Sequence, residues 1–215
     1  MHARDSSREQ HRKGAMRISE DRYSRERLSM QLALRFLEHE ARTQTIRLWT
    51  GLSDDRIRKL YRSYLTRARR YVPRHRGKSP HQVAYFARSI RMQQETAWLA
   101  SLLSLMGVVP SEPSSEGGRA QPSTGHPGAA HPSTGHPSIG QPSIARGELL
   151  CQAFEMYRAL VPSSQISFEH AVFLATTLSR GEQLRLGACS SCGSLVVVER
   201  FPVREKRCYQ CAKEG

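Results

Sequence analysis

The sequence lacks any apolar run long enough to cross a membrane. Its longest apolar stretch, Ala97–Val109, is interrupted by Ser101 and Ser104 and falls short of the roughly 20 apolar residues that a membrane-spanning helix needs. The residues that follow Met1 are polar and charged, without the apolar core of a secretory signal peptide. We therefore expect a soluble intracellular protein with no membrane partner.

Acidic side chains are also scarce. The chain has 33 Lys and Arg against 19 Asp and Glu, and from Arg56 to Lys78 ten basic residues occur without one acidic residue. A solvated helix gains from interleaved opposite charges, whereas an unrelieved row of like charges repels itself unless a partner neutralises it. The pattern favours a polyanion such as nucleic acid. A solvated helix face, an acidic protein surface and an anionic membrane are the other interpretations.

Four of the five cysteines follow the spacing C-x2-C-x15-C-x2-C near the end of the sequence, as Cys189, Cys192, Cys208 and Cys211. Two residues between paired cysteines let both thiolates of a tight turn face one ion, and the longer segment has room for a short hairpin that returns the second pair. Gly193 suits a turn position with positive φ, and Leu195–Val198 suits the first strand of that hairpin. The spacing predicts one structural Zn2+ per chain, held by four thiolates.

Disulfide bonds and a redox pair are the two other uses that these cysteines could have. A disulfide framework belongs to secreted chains, and a redox C-x-x-C has no use for a second pair further along the chain. The fifth cysteine, Cys151, lies in an apolar helical stretch and is predicted to be a buried core residue. With four protein ligands on the zinc and no nearby catalytic base, we expect no enzymatic activity.

The composition changes along the chain in a way that predicts its organisation. Residues 111–146 contain Pro-Ser-Thr-Gly-His-Pro twice and almost no large apolar side chains, so they cannot offset the entropy of ordering. The predicted parts are a flexible basic arm (1–24), a helical DNA-binding and partner-binding domain (25–110), a disordered linker (111–146), a helical pair (147–187) and a zinc-binding module (188–215).

Apolar residues recur at helical spacing on both sides of the linker. One stripe covers Leu28–Ala41, and another, Val83–Leu105, is long enough for a single helix of more than twenty residues. After the linker, one helix is expected to end before Pro162. The next is expected to begin at an N-cap Ser167 and to end at Gly181. The chain is therefore predicted to be mainly α.

Residues 43–62 fit the helix-turn-helix pattern, in which a short helix and a glycine-bearing turn precede a recognition helix. Gly51 falls at the turn, Ser53 can cap the second helix, and Ile57 and Leu60 supply buried positions. Arg47 stands where the first helix normally has a small residue, and a generic turn between packed helices is the other interpretation. The full fold prediction is a helical bundle with a helix-turn-helix-like segment and a small four-cysteine zinc-ribbon hairpin.

Basic residues in both halves are candidates for contacts with DNA phosphates. The candidates are Arg56, Arg58, Lys59, Arg62, Arg67, Arg69 and Arg70 in the helical half, and Arg200, Arg204, Lys206 and Arg207 in the zinc module.

Four segments resemble the FlhC family, the flagellar transcriptional activator subunits of bacteria. Arg56–Arg62 resembles the R-[IL]-x-[KR]-L-Y helix of that family, and the Pro80–Phe86 segment is similar to its P-x4-[WY]-F motif. Leu184–Gly193 resembles the family's leucine-rich lead into C-x2-C-G, and the preceding helix with Ala153 and Tyr157 is similar to its tyrosine-bearing helix.

This resemblance implies a helical subunit that forms a hetero-oligomer with an FlhD-type partner and contributes most contacts to double-stranded promoter DNA. It also implies action with RNA polymerase in the bacterial cytoplasm, and the four cysteines carry over as zinc ligands. The alternative is a zinc-ribbon protein that binds RNA, or a protein-interaction adaptor, without promoter specificity.

Overall fold

Helices predominate in the computed structural model, which describes residues 5–68, 75, 77–110, 142–200 and 207–214. In chain order the elements are α1 (Asp5–Glu38), α2 (Thr43–Thr50), α3 (Asp54–Ala68), α4 (Ile90–Leu105), α5 (Ile144–Leu160), α6 (Phe168–Arg180), β1 (Leu184–Ala188), β2 (Leu195–Glu199) and α7 (Tyr209–Glu214). The predicted mainly α fold with a C-terminal two-stranded hairpin is confirmed. Among the described helices, none is long and apolar enough to cross a membrane.

The chain divides into two compact units, and the division falls inside α5. The first unit comprises residues 1–79 and 142–151, and the second comprises residues 80–141 and 152–215. Most of the predicted linker, residues 111–141, lies outside the described residues. Helix α5 begins at Ile144, so the described helical structure starts earlier than the boundary predicted at residue 147.

In the first unit, α1, α2 and α3 pack against one another around an aromatic pair. The rings of Phe36 and Trp49 lie 6.0 Å apart, and both side chains are buried. The start of α5 closes this core, because a Cβ atom at Gly147 would lie 2.6 Å from Leu32 Cδ2. Only glycine allows so close an approach without displacing Leu32. Cys151, in the next turn of α5, is fully buried as predicted.

The backbone of α1 is helical from Asp5, where the sequence predicts a flexible arm over residues 1–24. The difference has a local reason. Arginine, glutamate, glutamine and lysine are good helix formers, and they are frequent in this part of the sequence. Residues 1–4 lie outside the described part of the chain.

The predicted turn between α2 and α3 is confirmed at Gly51. This residue adopts the left-handed conformation with φ of 70°, and its N–H donates to Arg47 O at 2.9 Å. Helix α2 buries Ile46 and Trp49, whereas the Arg47 side chain is 56% exposed. Arg47 therefore does not obstruct the packing of α3, and the three helices have the order and the turn of a helix-turn-helix motif.

The single long helix predicted over Val83–Leu105 is wrong. A short 3-10 helix, Val83–Ala87, comes first, and α4 begins after Ser89. Ser89 is extended, with φ of −151°, and its hydroxyl accepts a hydrogen bond from Met92 N at 3.2 Å. The serine competes with the helix for backbone donors, so it caps α4 and interrupts an apolar stripe that is otherwise continuous.

The C-terminal hairpin differs from the prediction in one respect. Leu195–Val198 is a strand, but it belongs to the second strand of the hairpin and not to the first. Strand β1 precedes the first cysteine and pairs with β2 in antiparallel register, with Leu186 opposite Val197. The predicted caps of α6 are confirmed, because the Ser167 hydroxyl accepts from His170 N and Gly181 has a left-handed conformation.

A buried carboxylate ties α4 to the loop after α5 within the second unit. Glu95 is only 3% exposed, and its side chain receives hydrogen bonds from Arg91 Nε at 2.7 Å, from Ser164 Oγ at 2.7 Å and from Tyr157 OH at 3.3 Å. Burial raises the pKa of Glu95, but the bonds from Ser164, Arg91 and Tyr157 outweigh it, so that the net pKa lies below the ordinary value. The carboxylate is therefore stabilised in its charged form.

Replacing Glu95 by glutamine should reduce the free energy of unfolding at neutral pH by about 1–3 kcal/mol, because charged hydrogen bonds to a buried group are lost. Because the folded-state pKa of Glu95 is lowered, its carboxylate stabilises the folded protein fully at pH values above the unfolded-state pKa, which is about 4.3 for Glu. This stabilisation is lost as the pH falls through the folded-state pKa. The difference in unfolding free energy between E95Q and the wild type should accordingly become smaller in acid. Urea unfolding of both proteins at the same pH values measures this difference, and the exposed Glu182→Gln is the control. A pH-independent difference would contradict this account.

Candidate metal centre and basic surface

The first cysteine pair lies in the turn that joins β1 to β2. Cys189 N donates to Ser194 O at 2.8 Å, and Gly193 N donates to Cys189 O at 3.0 Å, which closes the turn. Gly193 has φ of 73°, as the sequence predicts. This turn brings Cys189 and Cys192 to one side of the hairpin, and Val196 and Val198 of β2 form a small apolar cluster with Cys189.

The second pair lies at the start of α7. Ala212 N donates to Cys208 O at 3.0 Å, so Cys208 stands at the N-cap position just before α7 and Cys211 lies in its first turn. Residues three apart in a helix lie on the same side, which places Cys208 and Cys211 together. Both pack against the cluster that Cys189 forms with the valines of β2.

The four sulfurs converge closely enough to hold one metal ion. All four ligand atoms lie within 4.8 Å of one another, and the Sγ atoms of Cys192 and Cys208 are 3.5 Å apart. A tetrahedral site with metal–sulfur bonds of about 2.3 Å requires sulfurs about 3.8 Å apart. The cysteine set therefore fits a metal such as zinc, and no other such group occurs among the described residues.

Hydrogen bonds prepare part of this site for a cation. The pKa of the Cys189 thiol is lowered to about 6, first by the N–H of Cys208 and then by those of Cys192 and Ser191. The pKa of Cys192 is lowered by the Ser194 hydroxyl, whose oxygen is 3.1 Å from the sulfur. Bonds to Cys192 and Cys208 raise the pKa of Cys211 to about 12. A metal ion would displace the proton that Cys211 retains, so its binding weakens in acid.

In the first unit, the candidate DNA-binding residues lie on the solvent side of α3. Ile57 and Leu60 are buried, whereas Arg56, Arg58, Lys59 and Arg62 are exposed. The sequence did not indicate that Arg56 forms an ion pair with Glu26 of α1, since thirty residues separate them. Arg58 donates to Asp55 Oδ1 at 2.9 Å, one helical turn earlier. The side chain of Arg67 and the whole of Arg69 and Arg70 lie outside the described part.

In the second unit, two of the four candidates are described. Arg200 follows β2 and Arg207 precedes Cys208, and both are exposed. Arg204 and Lys206 lie outside the described residues. The structure thus places one described basic side chain at the end of the hairpin and one at the start of the second cysteine pair.

The fold and the site define a mainly helical protein with a C-terminal two-stranded hairpin and a cluster of four cysteines that could hold a metal ion. No family model and no curated protein matches the chain. The resemblance to the FlhC family therefore remains a prediction from the segments that carry it.

Replacing Cys189 by serine should weaken metal binding by more than the roughly 10-fold to 100-fold loss typical of an outer-shell change, because a ligand itself is removed. Cobalt(II) titration of the full chain reports this through the sulfur-to-cobalt absorption band, together with metal content after dialysis. Cys151→Ala is the matched control, because Cys151 belongs to another core. Equal metal retention in the C189S variant and the control would exclude the four-cysteine site.

Proposed function

We propose that the chain is the DNA-binding subunit of a transcriptional activator of bacterial flagellar genes, acting with an FlhD-type partner. The α2–turn–α3 arrangement carries this proposal, because its second helix directs several basic side chains to solvent. The flagellar role, the partner and the cooperation with RNA polymerase in the cytoplasm rest on the resemblance of Arg56–Arg62, Pro80–Phe86 and Leu184–Gly193 to the FlhC family.

The packing of α3 suits a recognition helix. Its inner face is fixed by Ile57 and Leu60 against the other helices of the first unit. Its outer face is then available to enter the major groove, where Arg58, Lys59 and Arg62 would reach phosphates or base edges. A generic turn between two helices would not require a row of outward cations on the second one.

The ion pairs on this surface are compatible with DNA binding. The pairs of Arg56 with Glu26 and of Arg58 with Asp55 are formed by side chains that are about half exposed or more. Exposed pairs of this kind contribute only about 0–1 kcal/mol each. A DNA phosphate can therefore replace the carboxylate at small cost, and release of counterions from the DNA favours the exchange.

We assign to the four cysteines one structural Zn2+ per chain. Four thiolates are a donor set that zinc prefers, and they leave no open position for a substrate, so the ion would supply folding energy and no catalysis. The module from Leu184 to Glu214 packs on α4 and α6 within the second unit, and few apolar side chains are buried inside the module itself. Its described core is correspondingly small, consisting of Cys189, Val196 and Val198 with two further cysteines. Arg200 and Arg207, with Arg204 and Lys206, would contact phosphates.

Binding to flagellar promoter DNA tests the proposed function directly. We expect the chain together with an FlhD-type subunit from the same genome to prefer promoter DNA over scrambled DNA at matched salt, and to lose this preference without the partner. Fluorescence anisotropy over a range of salt concentrations measures both. Equal affinity for promoter and scrambled DNA, with or without the partner, would favour the alternative of a zinc-ribbon protein without promoter specificity. A parallel titration with single-stranded RNA then distinguishes an RNA-binding protein from a protein-interaction adaptor.

The double replacement Arg58→Ala and Lys59→Ala should weaken binding to promoter and scrambled DNA alike if both residues contact phosphates. The slope of log K against log salt should then fall by about 0.9 for each lost contact. Arg25→Ala with Arg27→Ala, on the exposed part of α1, removes the same charge and is the matched control. If the double variant instead loses affinity only for DNA with one particular base at one position, then a replaced residue contacts that base. Unchanged binding to all DNA sequences would exclude α3 as the recognition helix.

A further inference from the structure

A second candidate binding site is a cavity in the second unit, between α4 and the cysteine module. Its volume is about 280 Å³, and its walls are formed by α4, by β2 and by the start of α7. Ligand pockets usually measure roughly 300–1,000 Å³, so this one lies near the lower end of that range and suits a ligand about the size of a mononucleotide. It is too small for a helix or a folded peptide.

Two aromatic side chains border the cavity and remain accessible. Trp98 of α4 is 46% exposed and Tyr209 of α7 is 36% exposed. Tryptophan is normally highly buried in a folded protein, so a half-exposed indole at the edge of a cavity indicates a surface on which a flat ring can stack. Leu195 and Ala97 add apolar contacts at the wall.

The polar lining also has a definite character. Arg207 is the one basic or acidic side chain among the lining residues, and it has no ion-pair partner among the described residues. The Gln94 amide offers both donors and acceptors at the wall, whereas the amide nitrogen of Gln93 already donates to Ala87 O at 3.0 Å. A guanidinium suits a phosphate, and amides suit the hydrogen-bonding edge of a nucleobase.

We propose that this cavity binds one purine nucleotide, with the base stacked on Trp98 and Tyr209 and the phosphate held by Arg207. The nucleotide is either a free mononucleotide or one residue of a single-stranded nucleic acid. The cavity belongs to the second unit and α3 to the first, and the two proposals share only Arg207. Binding of a mononucleotide does not depend on promoter binding. Because Cys208 is part of the wall, the cavity keeps its shape only while the cysteine module is folded.

Isothermal titration of the full-length, zinc-loaded protein with AMP, adenosine and inorganic phosphate tests the assignment. We expect AMP to bind with a submillimolar dissociation constant, and adenosine and phosphate to bind more weakly. AMP should also quench tryptophan fluorescence, because Trp98 is exposed whereas Trp49 is buried. The absence of saturable AMP binding at millimolar concentration would overturn the proposal without affecting the promoter experiment.

Variants of the wall locate the site. Trp98→Ala should weaken AMP binding by roughly 5-fold to 150-fold, the range expected for loss of base stacking, whereas Trp98→Phe should retain most of the affinity. Arg207→Ala should weaken AMP but not adenosine. Leu105→Ala on α4 and Arg185→Ala on β1 are exposed controls outside the cavity, and zinc content verifies the fold of each variant.

Two outcomes would contradict the assignment. One is equal AMP affinity in the wild type and in both variants at Trp98. The other is that Arg207→Ala lowers zinc content with AMP affinity unchanged, which would mean that this arginine only offsets the charge of the thiolates. A short oligo-dA then separates the two sources, because a single-stranded ligand would bind more tightly than AMP and be displaced by it, whereas a mononucleotide site would exclude the oligomer.

Discussion

The convergence of four cysteine sulfurs is the constraint on which the C-terminal part of the molecule depends. The hairpin and α7 bury few apolar side chains of their own, chiefly Val196 and Val198 beside Cys189. So small a core does not offset the entropy of ordering about thirty residues. If the sulfurs share a metal ion, as we propose, the ion fixes the positions of β2 and α7. The cavity lined by Trp98 and Arg207 is formed by these same elements together with α4.

The first unit is held by a different kind of interaction, the burial of large apolar side chains at a close approach of helices. Phe36 and Trp49 occupy the space between α1 and α2, and Gly147 lets α5 pack directly on Leu32. Because the apolar residues of α3 lie on its buried face, its charged residues lie on the face exposed to solvent. The basic surface is thus a consequence of the same helical periodicity that forms the core.

Local chemistry was predictable from the sequence, and distant contacts were not. The cysteine spacing, the left-handed glycines at 51, 181 and 193, and the Ser167 cap depend on a few neighbouring residues, and the structure has each of them as predicted. The break at Ser89 was missed because the apolar stripe passes through it without interruption. Strand β1 was missed because it has only five residues, too few for the alternation of apolar and polar side chains to be recognised. The cavity at Trp98 requires the packing of α4 on the hairpin, which no local pattern encodes.

The ion pairs of α3 bear on how a recognition helix of this kind would discriminate between DNA sequences. Asp55 stands in the first turn, where a carboxylate is favoured by the helix dipole, and it also holds the guanidinium of Arg58. A carboxylate repels DNA phosphates, so a phosphate that binds Arg58 would have to displace Asp55, at the small cost of an exposed ion pair. It also limits the rotamers of Arg58, which reduces the entropy lost when that arginine binds. A guanidinium oriented in this way would reach either a phosphate or the edge of a guanine, whereas the compact charge of Lys59 is suited to the backbone alone.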